Sequence, residues 1–257
     1  MFKIYFVAII LFFLSCKNNS IESEVDSKIS TLQEEYNKTK ADSSFNKLVQ
    51  AYGQSIMETK DKKQKEILLN NAISLCNAPE KSNLKEIFST ELIKLNPNVN
   101  SANDIIWNLA QSMLVRGKNE VASILFKGFK EKFPADPRSK ETEKLILAEQ
   151  KDIHAYIKSL AERVFENPGA NGLNDENTQK YIDVCESFAL VYSADKMAAE
   201  YLFRAAEMSR AISGFSKMMS LYDWIYQYFP DYKKAPLALF LKGFAMDSEF
   251  KQPAEAK

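Results

Sequence analysis

The chain has 257 residues, with 34 Lys and Arg balanced by 34 Asp and Glu, one His and three Cys. That balance leaves no global basic field of the kind nucleic-acid binding draws on. Seven Gly and eight Pro are too few for an all-β chain full of tight turns, whereas abundant Ala, Leu, Lys, Glu and Met favour helix.

The first element is "KIYFVAIILFFLSCKNN", Lys3 to Asn19. Its apolar run, Ile4 to Leu14, covers 11 residues, and a helix that crosses a bilayer needs about 20. A preceding lysine, an apolar stretch of this length and a small residue behind it describe a secretory signal. The run "FLSC" resembles a bacterial lipobox, with Phe13 in place of the usual Leu and Leu14 one place on. In lipoproteins signal peptidase II cuts before such a cysteine, which is then lipidated. The resemblance implies a signal peptide at 1–15, lipid attachment at Cys16 and a lipidated tether at 16–25. The other reading, a buried cysteine behind a hydrophobic strand, fits poorly. The run begins at the extreme N-terminus and turns abruptly polar at "KNNSIESE", a composition suited to a tether. Lys17, rather than the Asp that marks inner-membrane retention in the best-known sorting system, favours the outer membrane.

From about residue 26 apolar residues recur at spacings of three and four, and no strictly alternating run reads as a strand. The interruptions are turn signals: "NAPEKSN" at 77–83, "NPNVNSAN" at 96–103, "FPADPRS" at 133–139, "NPGANGLND" at 167–175 and "FPDYKKAP" at 229–236. "LILAEQKDIHAYIKSLAERVF", Leu145 to Phe165, reads as one helical stretch. Cys76 and Cys185 lie inside apolar-periodic segments and read as small core residues, although an oxidising periplasm would permit pairing.

Pro134 closes "VASILFKGFKEKFP" and Pro230 closes "KMMSLYDWIYQYFP", each preceded by a second helix of similar length. Helical hairpins with a period in the thirties resemble the tetratricopeptide family, whose repeat has 34 residues. With Pro134 as terminal proline, Ile106, Ala110, Ala122, Phe126 and Phe129 take the family's fourth, eighth, twentieth, 24th and 27th places. With Pro230, Leu202, Ala206, Met218, Tyr222 and Ile225 take them. Phe129, Ile225 and Met218 depart from the usual small residues. A weaker hairpin ends at Pro97, with Leu69 and Leu92 in place but Ile73 at the eighth. A longer offset of 133 carries Pro97 to Pro230, Ile106 to Leu239, Trp107 to Phe240 and Ala110 to Gly243. The expected fold is therefore all-α: a right-handed superhelix of antiparallel helix pairs in two tandem modules, 26–140 and 141–257. By this duplication the last hairpin should end at about position 267, so the chain is expected to be truncated. Leu237, Phe240, Leu241 and Phe244 would then lack part of their cover.

Chemistry-bearing motifs are sparse. A lone His154 cannot make a two-histidine zinc site, and neither a nucleophile elbow nor a phosphate-binding glycine loop is present. No enzyme activity, cofactor or metal is expected. Grooves in helical-repeat arrays bind peptides or partner helices. The tetratricopeptide resemblance implies a groove lined at its second, fifth, ninth and twelfth positions. These place Asp104, Trp107, Gln111, Phe203, Glu207, Arg210 and Phe240 in a candidate partner-binding groove, with Asn70 at the corresponding place in the weaker hairpin. The same rings could instead pack against the next repeat. The layout resembles envelope lipoproteins such as the tetratricopeptide member of the β-barrel assembly machinery. It implies a membrane-anchored protein-interaction scaffold of the bacterial envelope, with protein or peptide partners and no nucleic acid. The alternative is a lipoprotein that captures a glycan or peptide at the outer membrane.

Overall fold

The computed structural model describes residues 27–248. All regular structure among them is helical, and neighbouring helices pack on one another. The expected signal peptide, Cys16 and the tether lie outside the described residues, as does the segment 249–257. Contacts divide the chain into two compact units, Met1–Ser89 and Thr90–Lys257. The modules expected at 26–140 and 141–257 rest on sequence offset rather than on this division.

In the first unit, α1 spans 27–39 and stops at Lys40, whose backbone takes the left-handed conformation, φ 50°. Helix α2 (Asp42–Glu58) buries Phe45, Leu48, Ala51, Tyr52 and Ser55, a stripe at spacings of three and four. It packs on α3 (Lys62–Leu75), whose first turn is capped by the Asp61 side chain accepting from the Lys63 N–H. A 3-10 turn at Pro79–Lys81 leads into α4 (Ser82–Leu95), within which the division falls.

The second unit contains α5 (Ala102–Val115), α6 (Asn119–Lys132), 3-10 segments at Pro137–Lys144 and Ala148–Gln150, and α7 (Ile153–Arg163). It continues with α8 (Asp175–Val191), α9 (Ala198–Ala211), α10 (Phe215–Tyr228) and α11 (Ala235–Ser248). Helix α5 packs on α6, α6 on α8, α7 on α8, α8 on α9, α9 on α10 and α10 on α11. Helices α4, α6 and α10 stop two residues before Pro97, Pro134 and Pro230. Proline pushes the residue before it out of the α region and cannot donate to the helix ladder.

The α5–α6 and α9–α10 hairpins share one turn pattern. After α5, Gly117 (φ 72°) donates to the Leu114 carbonyl and Lys118 to Met113. After α9, Ser213 (φ 60°) donates to Arg210 and Gly214 to Ser209. Both close the helix end by satisfying its last carbonyls. Every boundary of α5 and α6 recurs in α9 and α10 exactly 96 residues on, and the ends of α4 and α8 share that offset. The helix boundaries thus carry an offset of 96, beside the offset of 133 read from the sequence.

The stretch 145–165 is not one helix. Its α-helix starts at Ile153, where the Asp152 side chain accepts from the Ala155 N–H. Upstream, polar groups are drawn to other partners: the Leu147 N–H donates to Ser123 Oγ, Gln150 Nε2 to the Glu120 carbonyl, and Lys127 Nζ to the Lys151 carbonyl. Side chains of α6 and its backbone thereby take over bonds that helix would have made locally. Cys76 and Cys185 are free thiols, each buried. Burial pushes both thiols up, away from the reactive thiolate.

A candidate partner groove on α10

An open groove of about 470 Å³ runs along α10. Ser216, Met219, Ser220, Asp223, Trp224, Gln227 and Tyr228 form its wall, and Glu91 and Lys94 from the last turns of α4 line it as well. Its helical register explains the wall: these residues recur at spacings of three and four and so share one face of α10.

Counting back 96 residues to α6, the same face comprises Glu120, Ser123, Ile124, Lys127, Gly128, Glu131 and Lys132. There it is covered. Ser123 and Ile124 are fully buried, and Gly128 lies so close to α8 that an added Cβ would stand 2.5 Å from Val191 Cβ. Trp224 takes the Gly128 position on α10. A tryptophan does not permit so close a helix contact, and on α10 this face lines the groove. Trp224 itself is only 5% exposed. Lys94 Nζ lies 4.4 Å from its ring centroid, a cation–π contact. The Lys94 side chain is 9% exposed and pairs with Glu91 at 2.7 Å. Asp223 pairs with Lys242 at 2.6 Å. Burial, with the Glu91 charge adding to it, pushes the Tyr228 phenol up to about 12, so it stays a neutral donor.

A second hollow of about 190 Å³ also involves Lys94 and Trp224. Its floor is apolar, with Leu109 and Met113 of α5, Val121 and Leu125 of α6, and Leu190 of α8. Its charged groups are paired: Lys118 with Asp183 at 2.6 Å, and Lys217 with both carboxylate oxygens of Glu186 at 2.8 and 2.9 Å. Both hollows thus combine apolar surface with charges already matched, which suits a neutral amphipathic segment better than a polyanion.

The residues expected at the groove from the sequence line neither hollow. Trp107 is half-buried, 5.3 Å from the ring centroids of both Phe126 and Phe129. Arg138 lies over it at 5.4 Å, grips Asp136 through two hydrogen bonds and reaches Asp104 at 2.8 Å. Phe203 is 3% exposed and packs against Tyr222 and Tyr232. Lys234 lies over its ring at 4.7 Å and pairs with Glu200 at 3.1 Å. The arrangement is shared: a carboxylate in the first turn of a helix, an aromatic three residues on, and a cation from beyond the hairpin that touches both. The first unit repeats it, with Lys81 Nζ 2.8 Å from Asp42 and 4.3 Å from the Phe45 ring. Gln111 is half-buried, Glu207 and Arg210 are exposed, and Phe240 is 64% exposed, stacked on Phe244. Comparing α6 with α10 at the 96-residue offset would have singled out Trp224 from sequence, as the ring standing where its counterpart is glycine.

His154 is exposed and links helices at the surface: Nδ1 lies 2.8 Å from the Tyr201 hydroxyl, and its ring meets Phe188 edge-on. Among the described residues no group of three or more His, Cys, Asp or Glu side chains could hold a metal ion. Among them, too, no helix is long and apolar enough to cross a membrane. Comparison of the chain with protein-family models, with curated proteins and with solved structures finds no match.

Proposed function

We propose that this chain is a lipid-anchored, tetratricopeptide-like scaffold of the bacterial cell envelope, and that it receives a short amphipathic segment of another envelope protein in the α10 groove. The anchor rests on the lipobox resemblance at Cys16. The superhelical arrangement rests on the hairpin pattern ending at Pro134 and Pro230. The observation that carries the binding role is the comparison of α6 and α10. The face that α6 buries against its own chain is, on α10, open and walled by Trp224, Met219 and Tyr228. Surface built to receive packed chain, yet left open beside an aromatic anchor, is what partner grooves present.

A photo-crosslinking residue at Ser220, exposed on the groove wall, tests this in intact envelopes. The control site is Tyr226, exposed on the same helix but outside both hollows. Protein adducts that form from position 220 and not from 226 are expected. Equal labelling from both sites, or adducts with lipid alone at 220, would sink the groove reading.

A further inference from the structure

The outer face of α11 departs from its counterparts in a way that points to a partner. Its third, sixth, seventh and tenth residues are Leu237, Phe240, Leu241 and Phe244. The same places hold Asp104, Trp107, Asn108 and Gln111 on α5, and Glu200, Phe203, Arg204 and Glu207 on α9. The carboxylate, the seventh residue and the tenth, polar in both other helices, have all become apolar. Leu237, Phe240 and Phe244 are 43, 64 and 50% exposed, and Leu241 beside them is half-buried. Ala235, Ala238 and Ala245 are buried, Leu239 is 42% exposed, and α11 packs on α10. The exposed stripe has the i, i+3, i+4, i+7 spacing of a helix–helix seam.

We propose that α11 pairs antiparallel with α11 of a second copy of this chain. The stripe is self-complementary in that direction. Centred between residues 240 and 241, an antiparallel pair sets Leu237 against Phe244 of the other copy and Phe240 against Leu241, a larger ring opposite a smaller side chain at every step. The ends match as well. Exposed Lys233 just before α11 comes beside exposed Asp247 from the last turn of the other copy. The opposed helix dipoles favour the same direction. A chain with 34 charges of each sign brings no net repulsion to the encounter. These contacts satisfy the isologous rule of a two-fold dimer, in which one patch meets itself. The seam is short beside ordinary stable interfaces of about 1,600 Å², so the dimer is expected to be concentration-dependent. This proposal is independent of the groove on α10.

Cysteine placement reads the register directly in the full chain, in mild detergent. Position 241 lies at the two-fold axis, whereas two copies of position 247 would stand roughly 20 Å apart along the pair. Leu241→Cys should form a disulfide-linked dimer at least ten-fold faster than Asp247→Cys, although both sites lie on the seam side of α11. Sedimentation across a concentration series gives the second reading: Phe240→Glu should weaken self-association at least ten-fold. Lys233→Asp alone should weaken it, and adding Asp247→Lys should restore it. Equal crosslinking at both sites, a monomer at the highest concentration, or a dimer indifferent to Phe240→Glu would each overturn the proposal. So would slow hydrogen exchange along α11 in the monomer, which would assign the cover to the chain's own residues 249–257.

Discussion

At the scale of single residues, Glu200 shows what the carboxylate–aromatic–cation contact does. Its Oε2 accepts from the Tyr232 hydroxyl at 2.5 Å and pairs with Lys234 at 3.1 Å, and its Oε1 accepts from Arg204 Nε at 2.9 Å. Burial alone would raise its pKa. The bonds from Tyr232, Arg204 and Lys234 outweigh burial and hold the carboxyl at about 2, below its ordinary 4.5. A carboxyl depressed on folding stabilises the folded state fully above its unfolded pKa, and that stabilisation is lost as pH falls through the folded value. The window here runs from about 4.5 down to about 2, and the shift corresponds to roughly 3 kcal/mol. Glu200→Gln should therefore lower stability at neutral pH and flatten its fall across that window. Urea unfolding at a series of pH values measures this. Parallel slopes for the two proteins would remove Glu200 from the account of acid stability. Asp136 behaves in the same direction, held well below the usual carboxylate range chiefly by its hydrogen bonds with Arg138.

At the scale of elements, the contact of α6 with α8 turns on Gly128. In a helix Ala is ordinarily better than Gly by about 1 kcal/mol. Here the added Cβ would stand 2.5 Å from both Cβ and Cγ2 of Val191, atoms fixed near the α8 backbone. Overpacking of this kind costs about 1–3 kcal/mol. Gly128→Ala is expected to destabilise the protein on balance, and Val191→Ala in the same chain should recover part of the loss. A stability unchanged or raised by Gly128→Ala would show that the two helices slide apart freely. How far the elements could be read from sequence follows the same physics. The ends at Leu95, Lys132 and Tyr228 were legible because proline acts locally. The segment 145–152 was not, because Ser123, Glu120 and Lys127, some 24 to 30 residues away, take up its polar groups. The tetratricopeptide resemblance also singled out Phe203 and Trp107 without saying what lies over them. The cations that cover these rings sit beyond the hairpin, where periodicity carries no signal.

At the scale of the whole molecule, the proposed lipid anchor would tie a helical body to a membrane; no described helix is long and apolar enough to cross one. The proposed anchor makes a sharp claim about Cys16. Cys16→Ala should leave the protein uncleaved and abolish acyl labelling, moving it out of the lipidated fraction in detergent phase separation. Unchanged labelling and partitioning would defeat the anchor and leave the groove proposal standing. The carboxylate–aromatic–cation contacts have a temporal consequence as well. Asp104 and Arg138 are 34 residues apart, as are Glu200 and Lys234, and Asp42 and Lys81 are 39 apart. Each contact therefore spans one hairpin and the few residues after it, and short-range closure is fast. A chain emerging N-terminus first, from a ribosome or through a membrane pore, can latch each hairpin as the cation just beyond it appears. Folding would then advance as a series of small completed steps, leaving little apolar surface waiting for chain that has yet to arrive.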